Sequence, residues 1–160
     1  MVDLKTEIPL RVCEKLGGDK AFLIMQIRSA RHRMFGFIEA FVDTGSPETI
    51  FSEKEGLRFH FPYKRIRPVN TIGLGGGSVS LHPCRNLRVR VKDLNNRFHE
   101  FEIDVYFSRS VSRTQRSIAE AQGVPNILGV DFLKATGFGF VYNARERVAL
   151  LVKDKSRPTN

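Results

Sequence analysis

The sequence contains few cysteines, and their positions argue against two common ways of stabilising a small protein. Cys13 and Cys84 lie far apart, and neither has a neighbouring cysteine that would complete a metal-binding pair. Neither a disulfide framework nor a zinc ribbon is therefore indicated. Unpaired thiols of this kind are typical of a reducing compartment.

Long apolar segments are also absent. The best candidate, residues 21–27, includes Gln26 and falls far short of the roughly 20 apolar residues that cross a bilayer. Residues 1–11 carry charges of both signs and lack the apolar stretch of a signal peptide. The sequence thus predicts a cytoplasmic protein without a membrane partner.

Negative charge is scarce relative to positive charge. Lysine and arginine number 26 against 17 acidic residues, which gives a formal net charge of +9. A field of this sign attracts nucleic acid, anionic membranes or acidic proteins without identifying one of them. The basic patches lack an interleaved aromatic platform for bases, so we interpret them as solvated strand faces and rank nucleic acid as a minor alternative. These patches are Lys64, Arg65 and Arg67, and Arg85 with Arg88, Arg90 and Lys92.

The apolar residues that are present predict many short strands around one core. Hydrophobic residues make up 41% of the chain, and 13 phenylalanines supply bulk. Residues 35–42 alternate with apolar side chains on both faces, so we expect a buried strand that delivers Asp43 to the interior or to a cleft floor. A mainly β fold follows, as in a small barrel or sandwich. Further strands are predicted over 22–29, 87–91, 98–107, 124–129, 139–142 and 148–152, with a glycine-tipped hairpin over 71–81, a short helix over 131–135, and a basic surface excursion over 108–123.

Three motifs occur in a fixed order along the chain. Asp43-Thr44-Gly45-Ser46 ends an apolar strand, the glycine-rich hairpin follows, and Ile127-Leu128-Gly129-Val130-Asp131 leads into a short helix. This order resembles the retropepsin-like aspartic proteases, and the resemblance spans residues 21–152. It implies a small closed barrel with a flap hairpin over 71–80 and one short C-terminal helix.

The resemblance implies an aspartic endopeptidase that hydrolyses peptide bonds with an activated water. Two close carboxylates cannot both ionise, so they share one proton and supply base and acid together, an effect for which aspartic proteases are the standard example. The chain holds one Asp-Thr-Gly, so a homodimer must bring two copies of Asp43 together at a twofold axis. No metal, cofactor or covalent intermediate is implied.

The same resemblance assigns supporting residues. Thr44 would lock the two loops across the dimer, Gly45 would let the substrate backbone approach, and Ser46 would hydrogen-bond beside the carboxylate pair. Gly129 and Asp131 would play structural roles. The substrate would be a peptide or protein with apolar residues flanking the cut. The expected contacts with it come from the flap at Ile72, Gly73, Leu74, Gly75 and Gly76, and from pocket walls at Val124, Pro125 and Ile127.

Domain boundaries and departures from the family complete the prediction. We expect an N-terminal arm over 1–20, the protease domain over 21–152 with its insertion at 108–123, and a flexible tail over 153–160. Retroviral members commonly carry an acid where Pro47 stands and an arginine where Val130 stands. Both partners of that ion pair are missing together, which moves the chain toward cellular and prokaryotic relatives.

Each motif also has a structural alternative. Asp43 could be an Asx-turn at a strand end, and the glycine-rich hairpin could bind phosphate, although it lacks the Gly-Lys-Ser/Thr ending. His82 and Cys84 have no second pair with which to form a metal site. The alternative function is a catalytically silent, retropepsin-like dimerisation or binding module, for nucleic acid or another anionic partner.

Overall fold

The computed structural model describes residues 5–15, 17–74 and 76–154. Residues 1–4 and 16 of the expected arm, Gly75, and residues 155–160 of the expected tail lie outside this part of the chain, whereas residues 153 and 154 of that tail belong to the last strand. The elements are, in chain order, β1 (Lys5–Lys15), β2 (Gly18–Ser29), β3 (Met34–Val42), β4 (Ile50–Phe51), α1 (Glu53–Arg58), β5 (Asn70–Leu74), β6 (Gly77–Lys92), β7 (Phe98–Ser110), α2 (Gln115–Gly123), β8 (Asn126–Leu128), α3 (Val130–Thr136), β9 (Gly139–Asn143) and β10 (Val148–Asp154).

A contact between β2 and β6 closes part of the sheet into a barrel. The strand order is β5-β6-β7-β4-β8-β3-β2-β1-β10-β9, and the additional pairing joins two strands that are distant in that order. Residues 26–28 of β2 pair with 88–90 of β6. The ring from β6 through β7, β4, β8 and β3 to β2 encloses the main core. This is the mainly β barrel that the sequence predicts.

The faces of β3 differ along its length. Ile38 and Ala40 point into the barrel and are buried, whereas Phe35 and Phe37 point outward and are 65% and 61% exposed. The expectation of burial on both faces is therefore wrong for the first half of the strand, because that half lies on the outer wall. Phe41 and its neighbours at the C-terminal end are buried on both faces, so the strand enters the interior just before Asp43.

Residues 5–15 form part of the sheet, in contrast to the expected arm. Strand β1 pairs with β10 through residues 5–10 and with β2 through residues 11–15. Ile8 and Leu10 alternate into the core, and Pro9 between them lacks the amide proton of a regular strand residue. Among the described residues, no helix combines the length and apolar character needed to span a membrane.

The basic excursion over 108–123 is more ordered than the sequence indicates. Its first residues continue β7, and nine of its later residues form α2. Thr114 caps the helix by accepting a hydrogen bond from the Ser117 amide. Two of its arginines have acidic partners: Arg116 pairs with Glu120 one helical turn later, and Arg113 reaches Glu53 in α1.

Glu53 anchors this excursion to the barrel. Its side chain is fully buried in α1, a helix that the sequence analysis does not predict. One carboxylate oxygen accepts from the Ser110 amide at 2.9 Å and the other from Arg113 Nη1 at 2.6 Å. A buried carboxylate is tolerable only with such partners, so Glu53 fixes where β7 ends and the excursion begins.

Replacing Glu53 with glutamine should lower the free energy of unfolding by about 1.5–3 kcal/mol, because two charge-assisted hydrogen bonds are weakened and a buried donor loses its acceptor. Urea unfolding followed by circular dichroism measures the change. The control is Glu120→Gln, whose partner Arg116 is almost fully exposed and which should cost less than about 0.5 kcal/mol. Equal losses from the two variants would contradict an anchoring role for Glu53.

Candidate active site

The position of Asp43 is set by three short strands. β8 lies between β3 and β4, parallel to β3 and antiparallel to β4. The chain that leaves β3 must therefore pass over the end of β8 before it returns as β4. The Asp43 amide donates to the Leu128 carbonyl at 2.9 Å and continues the ladder to the first residue of this crossing.

The crossing loop holds the Asp43 carboxylate in a defined orientation. The Gly45 amide donates to Asp43 Oδ1 at 2.9 Å, and the Ser46 amide donates to the Asp43 carbonyl at 3.1 Å. The first contact is an Asx-turn, so the structural alternative for this residue describes its geometry correctly. Oδ2 has no hydrogen-bond partner within the described part of the chain. One oxygen therefore fixes the side chain while the other is available to a substrate, a water or a second carboxylate.

The other residues of the motif do not all meet at the carboxylate. Ser46 Oγ donates to the Glu48 carbonyl at 2.7 Å, so its expected hydrogen bond beside Asp43 is not formed within the chain. Thr44 is exposed at the turn, and its hydroxyl makes no hydrogen bond within residues 5–15, 17–74 and 76–154. A Cβ on Gly45 would lie 3.2 Å from Asp43 Oδ1, which is tight contact.

Asp131 and Gly129 brace the crossing loop from behind. Thr49 donates to both oxygens of Asp131, from Oγ1 at 2.7 Å and from its amide at 3.0 Å, and its hydroxyl accepts from the Gly129 amide. A Cβ on Gly129 would collide with the Glu48 backbone. The third motif thus packs directly against the segment that follows the first, and Asp131 is committed to these internal contacts.

Asp43 and Thr44 open onto a depression of about 280 Å³. Phe41 forms its inner wall, and Phe140 and Tyr142 of β9 form its outer wall. β9 is the last strand of the sheet order, so the carboxylate lies beside a free sheet edge.

The predicted pocket residues surround an adjoining apolar cluster. Phe22, Phe41 and Ile127 pack together, and Leu74 of the β5–β6 hairpin packs onto them. Val124 and Pro125 line a neighbouring cavity of about 350 Å³, which Phe22 also borders. The structure therefore brings residues from all three motifs to one region of the surface.

The hairpin that the sequence predicts over 71–81 is formed by β5 and β6. Thr71 pairs with Ser80 and Leu74 with Gly77, which leaves a two-residue turn at its tip. Gly76 adopts φ 84°, a conformation that favours glycine. Ile72 packs on a separate cluster with Val79 and α2, while Gly73 has open space where a side chain would stand. Gly75 lies outside the described residues.

The sequence analysis misses several residues of the depression. Asp19 of β2 accepts two hydrogen bonds from Arg147, at 2.9 and 3.0 Å, and the Arg147 guanidinium holds the pKa of this carboxyl below its usual value. Tyr142 also donates to Asp19. These residues tie the β9–β10 hairpin to the start of β2. These three residues belong to no local sequence motif, so their proximity becomes visible only once the pairing of distant strands is known.

The His82 to Cys84 stretch is part of the core. The His82 ring contacts the Ile66 carbonyl at 2.7 Å and Ser80 Oγ at 3.0 Å. Burial raises the pKa of the Cys84 thiol to about 12, so it is not a thiolate at neutral pH. No group of three potential metal ligands is found in the part of the chain that the structure describes. His82 therefore serves to fix the segment after α1.

Comparison with solved structures identifies the fold. A retropepsin-like aspartic protease from Rickettsia conorii matches with a TM-score of 0.60 and 16% identity over 93% of this chain and 92% of that chain. The retroviral protease-like domain of Ddi1 from Leishmania major matches with a TM-score of 0.43 and 14% identity over 86% and 98%. No protein-family model matches the sequence, and a search of curated proteins finds no significant match. The chain has the retropepsin-like fold.

Proposed function

We propose that the protein is an aspartic endopeptidase that acts as a homodimer, with a water activated between two Asp43 carboxylates. The observation that carries this proposal is the Asx-turn at the end of β3. It fixes one oxygen of Asp43 and leaves the other available beside an apolar groove. A carboxylate that is held by one oxygen and remains partly accessible in this way suits proton transfer.

A second carboxylate is required, and the depression offers one other acid in the same chain. Both oxygens of the Asp19 carboxylate accept hydrogen bonds from Arg147, and Tyr142 also donates to this carboxylate. A proton-sharing pair needs oxygens that are free to hold the shared proton between them. The Asp19 oxygens are committed to these contacts, so we assign the second carboxylate of the proposed site to Asp43 of a partner copy.

The free edge of β9 is the proposed dimer contact. Its outer side has no neighbouring strand in the described sheet, and its exposed side chains include Val141. An unpaired edge of this kind favours pairing with another strand. Because Phe140 and Tyr142 wall the depression that holds Asp43, a twofold axis at this edge would bring the two carboxylates toward each other. Thr44, exposed on the same side, would hydrogen-bond across the axis.

The proposed reaction needs one proton in the pair. The ionised Asp43 takes a proton from the water while the water oxygen bonds to the substrate carbonyl carbon. At the same time the protonated Asp43 of the other copy donates its proton to the carbonyl oxygen. In the second half the carbon–nitrogen bond breaks, and the leaving nitrogen takes the proton held by the first carboxylate. The hydroxyl proton of the tetrahedral intermediate then returns to the pair, which restores its single proton.

The apolar cluster beside Asp43 indicates the substrate. Leu74 and Ile72 of the hairpin would cover a bound peptide, with the backbone of 73–76 contacting it. Val124, Pro125 and Ile127 would wall the side-chain pockets, and Gly45 would admit the peptide backbone. Gly129 and Asp131 would support the loop without touching substrate. Apolar side chains on both sides of the cut would match these walls.

Replacing Asp43 with asparagine should reduce peptide cleavage by about 10²–10⁴-fold, because the amide can neither accept nor share the proton. Cleavage of a mixed peptide pool between about pH 4 and 7, followed by mass spectrometry, measures this, since paired carboxylates titrate in that region. Asp104→Asn, an exposed change on β7, is the matched control and should retain full activity. Unchanged cleavage by the Asp43 variant would refute the assignment. A wild-type dimer that cleaves nothing would favour the silent binding module.

Replacing Val141 with glutamate should weaken dimerisation at least about tenfold, because like charges would face each other across the proposed edge. Val111→Glu is the control, since both valines are 53% exposed and Val111 follows β7, which is distant from β9 in the sheet order. Analytical ultracentrifugation and the peptide assay are run at the same protein concentrations. The Val141 variant should lose both the dimer and the activity, and the Val111 variant should keep both. Full cleavage by a monomeric variant would show that the site is not shared.

A further inference from the structure

A basic cleft lies at the far end of β3 from Asp43. It has a volume of about 770 Å³ and is formed by the β2–β3 turn, the segment after α1, and the end of β7. β3 runs from this turn to Asp43, a span of roughly 30 Å at 3.3 Å per residue. The cleft is therefore separate from the candidate active site. Its cations are Arg31, Arg33, Lys64, Arg65 and Arg109, and no carboxylate is among the described residues that line it.

The cations of the cleft have no acidic partner in the described part of the chain; they share this with surface arginines such as Arg67 and Arg85, but five of them surround one concavity. Arg88 and Arg90 on the outer face of β6 lie opposite Glu102 and Glu100, and Arg11 pairs with Glu39 on the same wall. None of the five cleft cations forms an ion pair within residues 5–15, 17–74 and 76–154. Five like charges around one concavity create a local positive potential that attracts an anion.

The floor of the cleft is rigidly held. Tyr63 Oη donates to the Ser108 carbonyl at 2.8 Å, and the Phe61 ring stacks on Phe107 with centroids 4.4 Å apart. The His82 ring fixes the Ile66 carbonyl. Lys64 and Arg65 thus project from a turn that is anchored at both ends. The sequence interpretation of these two residues as a strand face is wrong, because the proline-containing segment forms a turn on the core. Binding through a fixed backbone costs less conformational entropy.

The remaining lining residues suit bases better than a flat membrane. The Arg109 guanidinium lies 5.5 Å from the Tyr63 ring centroid, and His32 and His60 border the opening with Leu57. Imidazole rings and guanidinium planes stack on unpaired bases, while arginine forks bind phosphate oxygens in pairs. A concave surface admits a strand but does not lie against a bilayer. We propose that the basic cleft binds single-stranded nucleic acid, with its cations on successive phosphates.

The outer face of β6 is the rival basic surface. Arg90 stacks on the exposed ring of Phe98 at 4.0 Å, and Lys92 lies nearby, so this face has an aromatic residue that the sequence analysis did not place there. Its arginines, however, already face glutamates. The net local charge is therefore lower than in the cleft, and the cleft is the stronger site for a polyanion.

The test compares two variants that each remove three charges. The cleft variant carries Arg31→Gln, Lys64→Gln and Arg65→Gln, and the control carries Arg88→Gln, Arg90→Gln and Lys92→Gln. All six side chains are exposed, so folding should be preserved, which circular dichroism checks. Fluorescence anisotropy with a labelled single strand of about 20 nucleotides, longer than the roughly 4–16 that a small domain covers, measures binding over a salt series.

The cleft variant should bind at least about tenfold more weakly, and its slope of log affinity against log salt should fall by about 2, since each phosphate contact on a single strand contributes about 0.7. The control should change by less than about threefold. Asp43→Asn should bind like the wild type, which separates this result from the proposed catalysis. The proposal would be overturned if the wild type does not bind at physiological salt, if both triple variants lose affinity equally, or if only the control loses it. Preference for duplex DNA or for anionic phosphatidylserine vesicles over the single strand would also overturn it.

Discussion

The insertion of β8 between β3 and β4 is the constraint on which the candidate site depends. It forces the chain after β3 to cross over a strand end, and it leaves no room there for a regular ladder. The Asp131 carboxylate and Thr49 then fix the return of the crossing loop to β4. Removal of either group would free the loop at its base, far from the acid that it presents. Asp43 is thus positioned by backbone pairing and by a second acid, Asp131, whose two oxygens are engaged by Thr49.

The two interpretations of Asp43 turn out to be complementary. An Asx-turn uses one carboxylate oxygen and one amide, and it leaves the second oxygen without a partner in the described chain. A free aspartate side chain would lose rotamer freedom on binding a water or a partner acid. The turn has already removed that freedom during folding. A local motif that is common at strand ends therefore becomes a means of orienting a reactive group once it stands at the floor of a groove.

Sequence patterns predicted the features that depend on neighbours along the chain. The alternating strands, the glycine-tipped hairpin and the short helix before Gly137 all follow from local periodicity and turn residues. The buried Glu53 could not be predicted, since its partners are about 60 residues away and the residues beside it in the sequence are mostly polar. The edge position of β9 likewise depends on β1 lying between β2 and β10, a long-range choice that no local pattern contains.

Positive charge is used in two ways in this fold. On the outer barrel wall, arginines face glutamates across strands, where the pairs contribute little stability and mainly limit repulsion. Around the basic cleft, the arginines and Lys64 have no acidic partner in the described chain, and all of them lie close together around one concavity. Such crowding costs free energy in the isolated protein, and an anion would remove that cost on binding. In the proposed dimer the β9 edges meet near Asp43, so the two clefts would point away from the axis. A single polyanion long enough to reach both clefts would then gain affinity from two contacts without covering the depression beside Asp43.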